Sequence, residues 1–334
     1  MKVAPKDVFA GKKVLVTGGL GFIGSNLARC LVECGAEVTL VDSLIPEYGG
    51  NLFNIEPISS QVKVNFSDVR DEHSMKHLVR NQDYLFNLAG QTSHLDSMAD
   101  PYTDLEINTR AQLSILESCR RNNPEIKIVF ASTRQIYGRP QYLPVDEEHP
   151  LRPVDVNGIN KMAGEWYHLV YNNVYRIRST VLRLTNTYGP RMRIRDARQT
   201  FLGIWIRKII EGDPFLVFGD GLQKRDFNYV DDVTDALLTA AASERANGEI
   251  YNLGADDPVS LKETAQLLVE TLGKGSYDIV PFPQERKIID IGDYYGSYGK
   301  ISRHLGWRPE TGLREGLRKT LEYYREFSRH YVEP

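Results

Sequence analysis

The run Val14-Leu15-Val16-Thr17-Gly18-Gly19-Leu20-Gly21-Phe22-Ile23-Gly24-Ser25-Asn26-Leu27 decides the fold. A short apolar strand enters a turn punctuated by three glycines and leaves as an apolar-periodic helix, the local form that a dinucleotide pyrophosphate requires. Gly18 permits the tight turn. Gly21 lets the backbone N–H groups around Phe22 and Ile23 approach the pyrophosphate, and Gly24 lets helix and strand pack closely. The phosphates then sit at a helix N-terminus, where unpaired donors and the helix dipole favour anions. A second apolar run, Val38 to Val41, ends at Asp42, near the spacing at which an acid meets the adenosine ribose hydroxyls. That carboxylate repels a 2′-phosphate, which favours NAD over NADP.

Outward from this turn, apolar runs of strand length alternate with helical patterns. The runs are Val14–Val16, Val38–Val41, Val62–Phe66, Tyr84–Leu88, Ile126–Ala131 and Thr180–Leu184, with crossover helices beginning near Phe22, Asp71, Pro101 and Asn157. Such alternation predicts an α/β chain with a doubly wound parallel sheet. Past Pro190 the alternation stops. A basic stretch (Arg191, Arg193, Arg195, Arg198) leads into a helix from about Thr200 to Gly212, and further helices lie near Leu261–Leu272 and Leu313–Phe327. We expect residues 1–188 and 227–256 to form the dinucleotide-binding domain, and 189–226 and 257–334 a smaller mixed α/β lobe.

With 334 residues, 41% of them apolar, the chain can bury a large core. A formal charge of −3 supplies no field to draw nucleic acid, and no run is long and apolar enough to span a bilayer. The first residues do not read as a secretory leader, so a cytoplasmic protein is expected. Three cysteines make no disulfide framework, and no metal site is expected.

In a doubly wound sheet ligands bind beyond the carboxyl ends of the strands. Asp68-Val69 follows the third strand, placed to meet an adenine. Leu88-Ala89-Gly90-Gln91 ends the fourth, with small residues that let backbone lie along a cofactor, and His94 follows. Thr133-Arg134 ends the fifth and Asn186 follows the sixth. Arginines and aromatics facing these strand ends suit a second ligand bearing phosphates and a base.

These residues resemble the extended short-chain dehydrogenases that act on nucleotide sugars, the epimerase/dehydratase group. The resemblance rests on Thr17-Gly18-Gly19-Leu20-Gly21-Phe22-Ile23-Gly24, Asn87-Leu88-Ala89-Gly90-Gln91, Ser132-Thr133 with Tyr137-Gly138, Asn186-Thr187-Tyr188-Gly189-Pro190-Arg191, Phe218-Gly219-Asp220-Gly221 and Tyr229-Val230-Asp231-Asp232-Val233. It implies a bound NAD that takes hydride from a sugar carbon, usually C4, a nucleotide-diphosphate sugar as substrate, and a homodimer built on the helices near Pro101 and Asn157. By the same resemblance Thr133 binds the sugar O4 and Lys161 the nicotinamide ribose. Asn186 and Arg225 hold the diphosphate, joined by Arg286, and Leu216 to Phe218 line the base.

The chain departs from the family at the position of its catalytic Tyr, which is Asn157. A carboxamide hydrogen-bonds a hydroxyl but cannot take its proton. His94 is the leading substitute base, since imidazole titrates in the useful range; Tyr137 is a second candidate. Alternatively Thr133 or a water relays the proton, or the protein binds without turnover. The Asp-Glu pair of the 4,6-dehydratases is here Arg134-Gln135, which disfavours ordinary dehydration. Arg134 and Arg193 offer partners for a substrate carboxylate. The reading this leads to is an epimerase working through a 4-keto intermediate on a UDP-hexose or UDP-uronate, with decarboxylation or another 4-keto chemistry as the alternative.

Overall fold

The computed structural model describes residues 5–332. Seven strands, β1 (Lys13–Thr17), β2 (Glu37–Asp42), β3 (Val62–Phe66), β4 (Tyr84–Asn87), β5 (Lys127–Thr133), β6 (Ser179–Leu184) and β7 (Ile250–Asn252), form one parallel sheet in the order β7-β6-β5-β4-β1-β2-β3. Thr17 stands opposite Val41 on one side and Asn87 on the other, so the carboxyl ends open along one edge. The strand order reverses between β1 and β4, and a crevice opens there.

The helices explain the apolar runs. Helix α1 (Phe22–Glu33) rises from the glycine turn, and α2 (Glu72–Leu78) is capped by Asp71, whose carboxylate accepts from His73 N at 2.9 Å. A short α3 (His94–Ala99) precedes α4 (Pro101–Leu105), which runs through a π turn at Glu106–Arg110 into α5 (Ala111–Asn122). Helix α6 (Val156–Tyr175) starts at the cap residue Asp155. Successive strand residues face opposite sides. Val14 and Val16 pack with Leu27 and Leu31 of α1 and, from α8 (Val230–Ala242), with Leu237 and Ala240. Leu15 and Leu85 pack on the other face with Ile115 and Leu116 of α5. Strands buried on both faces need continuous apolar runs, which is the pattern in the sequence.

Beyond Pro190 a separate apolar cluster joins Trp205 of α7 (Phe201–Glu211), Leu268 of α9 (Leu261–Leu272), Leu317 and Tyr324 of α10 (Leu313–Phe327), and Phe215. Phe215–Phe218 pairs in parallel with Tyr277–Val280 at its edge. Among the described residues no helix is long and apolar enough to cross a membrane.

Under the sheet edge lies a buried ion pair. Arg183 donates to Glu165 at 2.8 Å and to the Tyr137 hydroxyl at 2.6 Å, and that hydroxyl donates to Asn252 at 2.6 Å. Removing one member strands a buried charge, so Arg183→Met is expected to destabilise the fold by about 3–5 kcal/mol in urea unfolding.

Candidate functional site

The three glycines act as the spacing predicts. Gly18 has φ +67°, and a side-chain carbon on Gly24 would stand 2.2 Å from the Gly18 carbonyl oxygen. Helix α1 therefore meets β1 closely, and its N-terminus has no side-chain cap. That end opens into a groove lined by Gly18, Phe22, Asp42, Asp68, Ala89 and Gly90, and by Gly21, Ile23, Gly24, Val69 and Leu88; Gln91 and Lys161, also expected at the cofactor, are not among its lining residues. Asp42 accepts from Leu20 N and Leu44 N, both at 3.0 Å, and burial raises its pKa. Asp68 is clasped by Arg70 through Nε and a terminal nitrogen. These groups fit an extended dinucleotide, with the free helix N-terminus at its diphosphate and Asp42 at its adenosine ribose.

Lys161 of α6 is buried behind Gly90 and Ala131, two residues that line this groove. A side-chain carbon on Gly90 would lie 2.7 Å from its Nζ and 2.9 Å from Asn108 Oδ1, so the ammonium packs directly against the Gly90 backbone. Burial pulls Lys161 down to about 8, opposed by the charges of Asp104 and Glu165. Its Nζ donates to Ala131 O at 3.4 Å.

Asn157 is turned inward. Its Nδ2 donates to the Gln91 carbonyl at 2.8 Å and to Asp104 at 3.0 Å, and Asn160 donates to the other Asp104 oxygen at 2.7 Å. The amide thus ties α6 to α4 and to the loop after β4. Gln91, expected at the cofactor, is a correction: its side chain folds back on Ser93 O at 2.9 Å while its carbonyl receives Asn157 and Asn108. It shapes the loop that borders the groove instead of lining it.

His94 begins α3 at the mouth of the site. Its Nδ1 lies 3.0 Å from Asp155, a buried carboxylate that also accepts from Gly158 N at 2.7 Å and Gln135 Nε2 at 3.1 Å. Burial alone would raise Asp155, but His94 and these donors bring its pKa below the usual carboxylate value. The ring is only partly covered, and Nδ1 is the nitrogen that faces Asp155. Thr133 closes β5, its hydroxyl accepting from Gln135 N at 3.2 Å, and the Gln135 side chain in turn lies 3.2 Å from His94 Nδ1. Tyr137 is removed as a candidate base: it is buried, its hydroxyl is enclosed by Arg183 and Asn252, and burial pushes its pKa up.

On the substrate side, Arg134 donates to Asn186 Oδ1 at 3.2 Å, and Asn186 donates to Asp226 O at 2.9 Å. Arg225 donates to the carbonyls of Lys224 and Gly292. Arg286 lies over the Phe218 ring, 5.4 Å from its centroid, and Leu216 is exposed on the same strand. Arg193 stands in a different neighbourhood from Thr133. It forms a two-point pair with Asp196 at 2.9 and 2.6 Å, and a side-chain carbon on Gly49 would meet its Cβ at 3.8 Å. Its guanidinium is committed to a neighbour three residues away, near the loop after β2 rather than beside Thr133.

The structure also supplies residues the sequence reading missed. Asp155 reads in sequence only as a helix cap, and Asp104 only as a polar position on a helix; Tyr48, Thr92 and Gln199 join the groove through tertiary contact.

Residues 14–254 match the model of the NAD dependent epimerase/dehydratase family. A Methanocaldococcus jannaschii protein provisionally named UDP-glucose 4-epimerase is 34% identical over 95% of this chain and 99% of its own length. The UDP-N-acetyl-alpha-D-glucosaminuronate decarboxylase of Bacillus cytotoxicus is 32% identical over 94% of this chain and 98% of its own. Among solved structures, the UDP-glucose 4-epimerase of Thermotoga maritima with UDP-glucose superposes with a TM-score of 0.85 at 31% identity, covering 95% of this chain and 99% of that one.

Proposed function

This chain belongs to the NAD-dependent epimerase/dehydratase family, and from that premise we propose that it is a nucleotide-sugar epimerase in which His94, held by Asp155, does the work of the missing Tyr. The observation that carries this reading is the His94–Asp155 contact of 3.0 Å, tied to Thr133 through Gln135, combined with the locking of Asn157 onto Gln91 and Asp104. NAD, when bound, would supply the hydride acceptor and donor for reversible oxidation at C4 of the sugar. Thr133 hydrogen-bonds the sugar O4, and His94 takes the hydroxyl proton on its outer nitrogen as C4 is oxidised. Asp155 accepts from Nδ1–H, which fixes the tautomer and favours the imidazolium that forms. Lys161 stays beside Gly90 to hold the nicotinamide ribose, while Asn186, Arg225 and Arg286 grip the diphosphate and Leu216 and Phe218 flank the base. Arg134-Gln135 offers no carboxyl pair to expel water, so dehydration is not the expected chemistry.

The test is product analysis. Protein carrying NAD is incubated with UDP-glucose or UDP-glucuronate deuterated at C4. Formation of the C4 epimer with deuterium retained is the expected result; absence of any epimer overturns the assignment.

A homodimer goes with this reading. The outer faces of α4 and α6 expose Tyr102 at 79% and Trp166 at 54%, with Leu105, Ile159 and Val174 also open. An apolar stripe of this kind on two adjacent helices is covered in a partnered protein. Trp166→Glu is expected to convert a dimer to a monomer in sedimentation analysis.

A further inference from the structure

Arg134 follows Thr133 directly at the carboxyl end of β5, and Asp226, Asp290 and Asp155 act on its charge only from beyond ion-pair distance. Its terminal nitrogens reach only neutral acceptors at long range, Asn186 Oδ1 at 3.2 Å and Gln135 Oε1 at 3.3 Å, and its planar group lies over the Tyr294 ring, 5.1 Å from the centroid. Among the described residues no carboxylate forms an ion pair with it. The acids around it are engaged elsewhere. Asp155 takes His94, Gln135 and Gly158 N; Asp226 takes the Thr185 hydroxyl and Gly296 N; Asp290 takes Gln223, Gly292 N and, at 3.7 Å, Arg225. Arg225 adds a second positive charge on the same side, and repulsion from Arg134, after burial, lowers its pKa to about 10. A covered guanidinium with neutral contacts and a like-charged neighbour is a site prepared for an anion.

A nucleotide sugar can bring two anions, the diphosphate on C1 and a carboxylate at C6. Arg134 sits between the groups assigned to the two ends. Gln135 connects it to Asp155 and His94, and Asn186 connects it to Asp226 beside Arg225. C6 hangs from C5, one bond from the reacting C4, whereas the diphosphate lies across the ring. Resting on the nucleotide-sugar reading above, we propose that Arg134 binds a C6 carboxylate and makes the enzyme selective for nucleotide-activated uronic acids over neutral hexoses. The guanidinium fork matches a carboxylate in two parallel hydrogen bonds, and a neutral hydroxymethyl group leaves it unpaired.

Calorimetric titration of the NAD-loaded protein with UDP, UDP-glucose and UDP-glucuronate tests this without requiring turnover. The wild type is expected to bind UDP-glucuronate about 10- to 100-fold more tightly than UDP-glucose. Arg134→Gln is expected to erase that preference while holding UDP and UDP-glucose within about twofold, and unchanged UDP binding also certifies that the variant is folded. Arg134→Lys, which keeps the charge but not the fork, is expected to fall between the two. If Arg134→Gln weakens UDP as much as UDP-glucuronate, the residue reads the diphosphate and the proposal is wrong. Equal binding of the acid and the neutral sugar by the wild type overturns it as well, with the nucleotide-sugar reading left standing. Failure of the wild type to bind UDP at all removes that reading and the proposal together.

Discussion

His94→Ala is expected to lower kcat by about 100- to 10,000-fold, the usual worth of a positioned general base, with bound NAD retained. The retention follows from geometry: His94 is held by Asp155 at the start of α3 and is not among the residues that line the groove at the glycine turn. Free imidazole added to His94→Ala restores part of the rate, a result that a purely structural histidine would not give. Asp155→Asn is the matching positioning variant. An amide oxygen can still accept from Gly158 N and cap α6, but the charge that favours the imidazolium is gone. Its kcat is expected to fall by about tenfold or more with KM nearly unchanged.

Gly24→Ala is expected to cost more in binding than its single methyl suggests. The added carbon would sit 2.2 Å from Gly18 O, 2.9 Å from Gly18 C and 2.9 Å from Gly19 Cα, all rigid backbone. Helix α1 must then move off β1, at a cost of roughly 1–3 kcal/mol or more for overpacking. The same movement shifts the N–H groups that face the pyrophosphate, so NAD retention falls by about 10- to 100-fold on that energy scale. Gly21 gives the internal comparison. Its added carbon would meet only Gly18 O, at 3.2 Å, so Gly21→Ala loses less stability than Gly24→Ala in thermal unfolding.

The scaffold was legible because its signals are local. The run Val62–Phe66 became a strand with those bounds, Leu261–Leu272 and Leu313–Phe327 became helices with those bounds, and Asp71 caps as its position predicts. That the glycine turn and Asp42 would share one groove was legible for the same reason, since both are fixed by one βαβ unit. What escaped the sequence lies between elements. His94 and Asp155 are joined only when the loop after β4 meets the start of α6. Asp104 reaches Asn157 and Asn160 from α4, near a π turn that no periodicity announces. The local pair of Arg193 with Asp196 was likewise not legible, because its neighbourhood in sequence is that of the sixth strand end. Arg134 could be named from sequence, but that, among the described residues, no carboxylate forms an ion pair with it is visible only in three dimensions.

The most direct test is the near-ultraviolet absorbance of NADH on protein carrying bound NAD, followed rapidly after UDP-glucuronate is added to wild type and to His94→Ala. The account predicts a transient signal in the wild type, as C4 is oxidised and reduced again, and none in the variant. A transient of equal size and rate in both would contradict the assignment of His94 as the base.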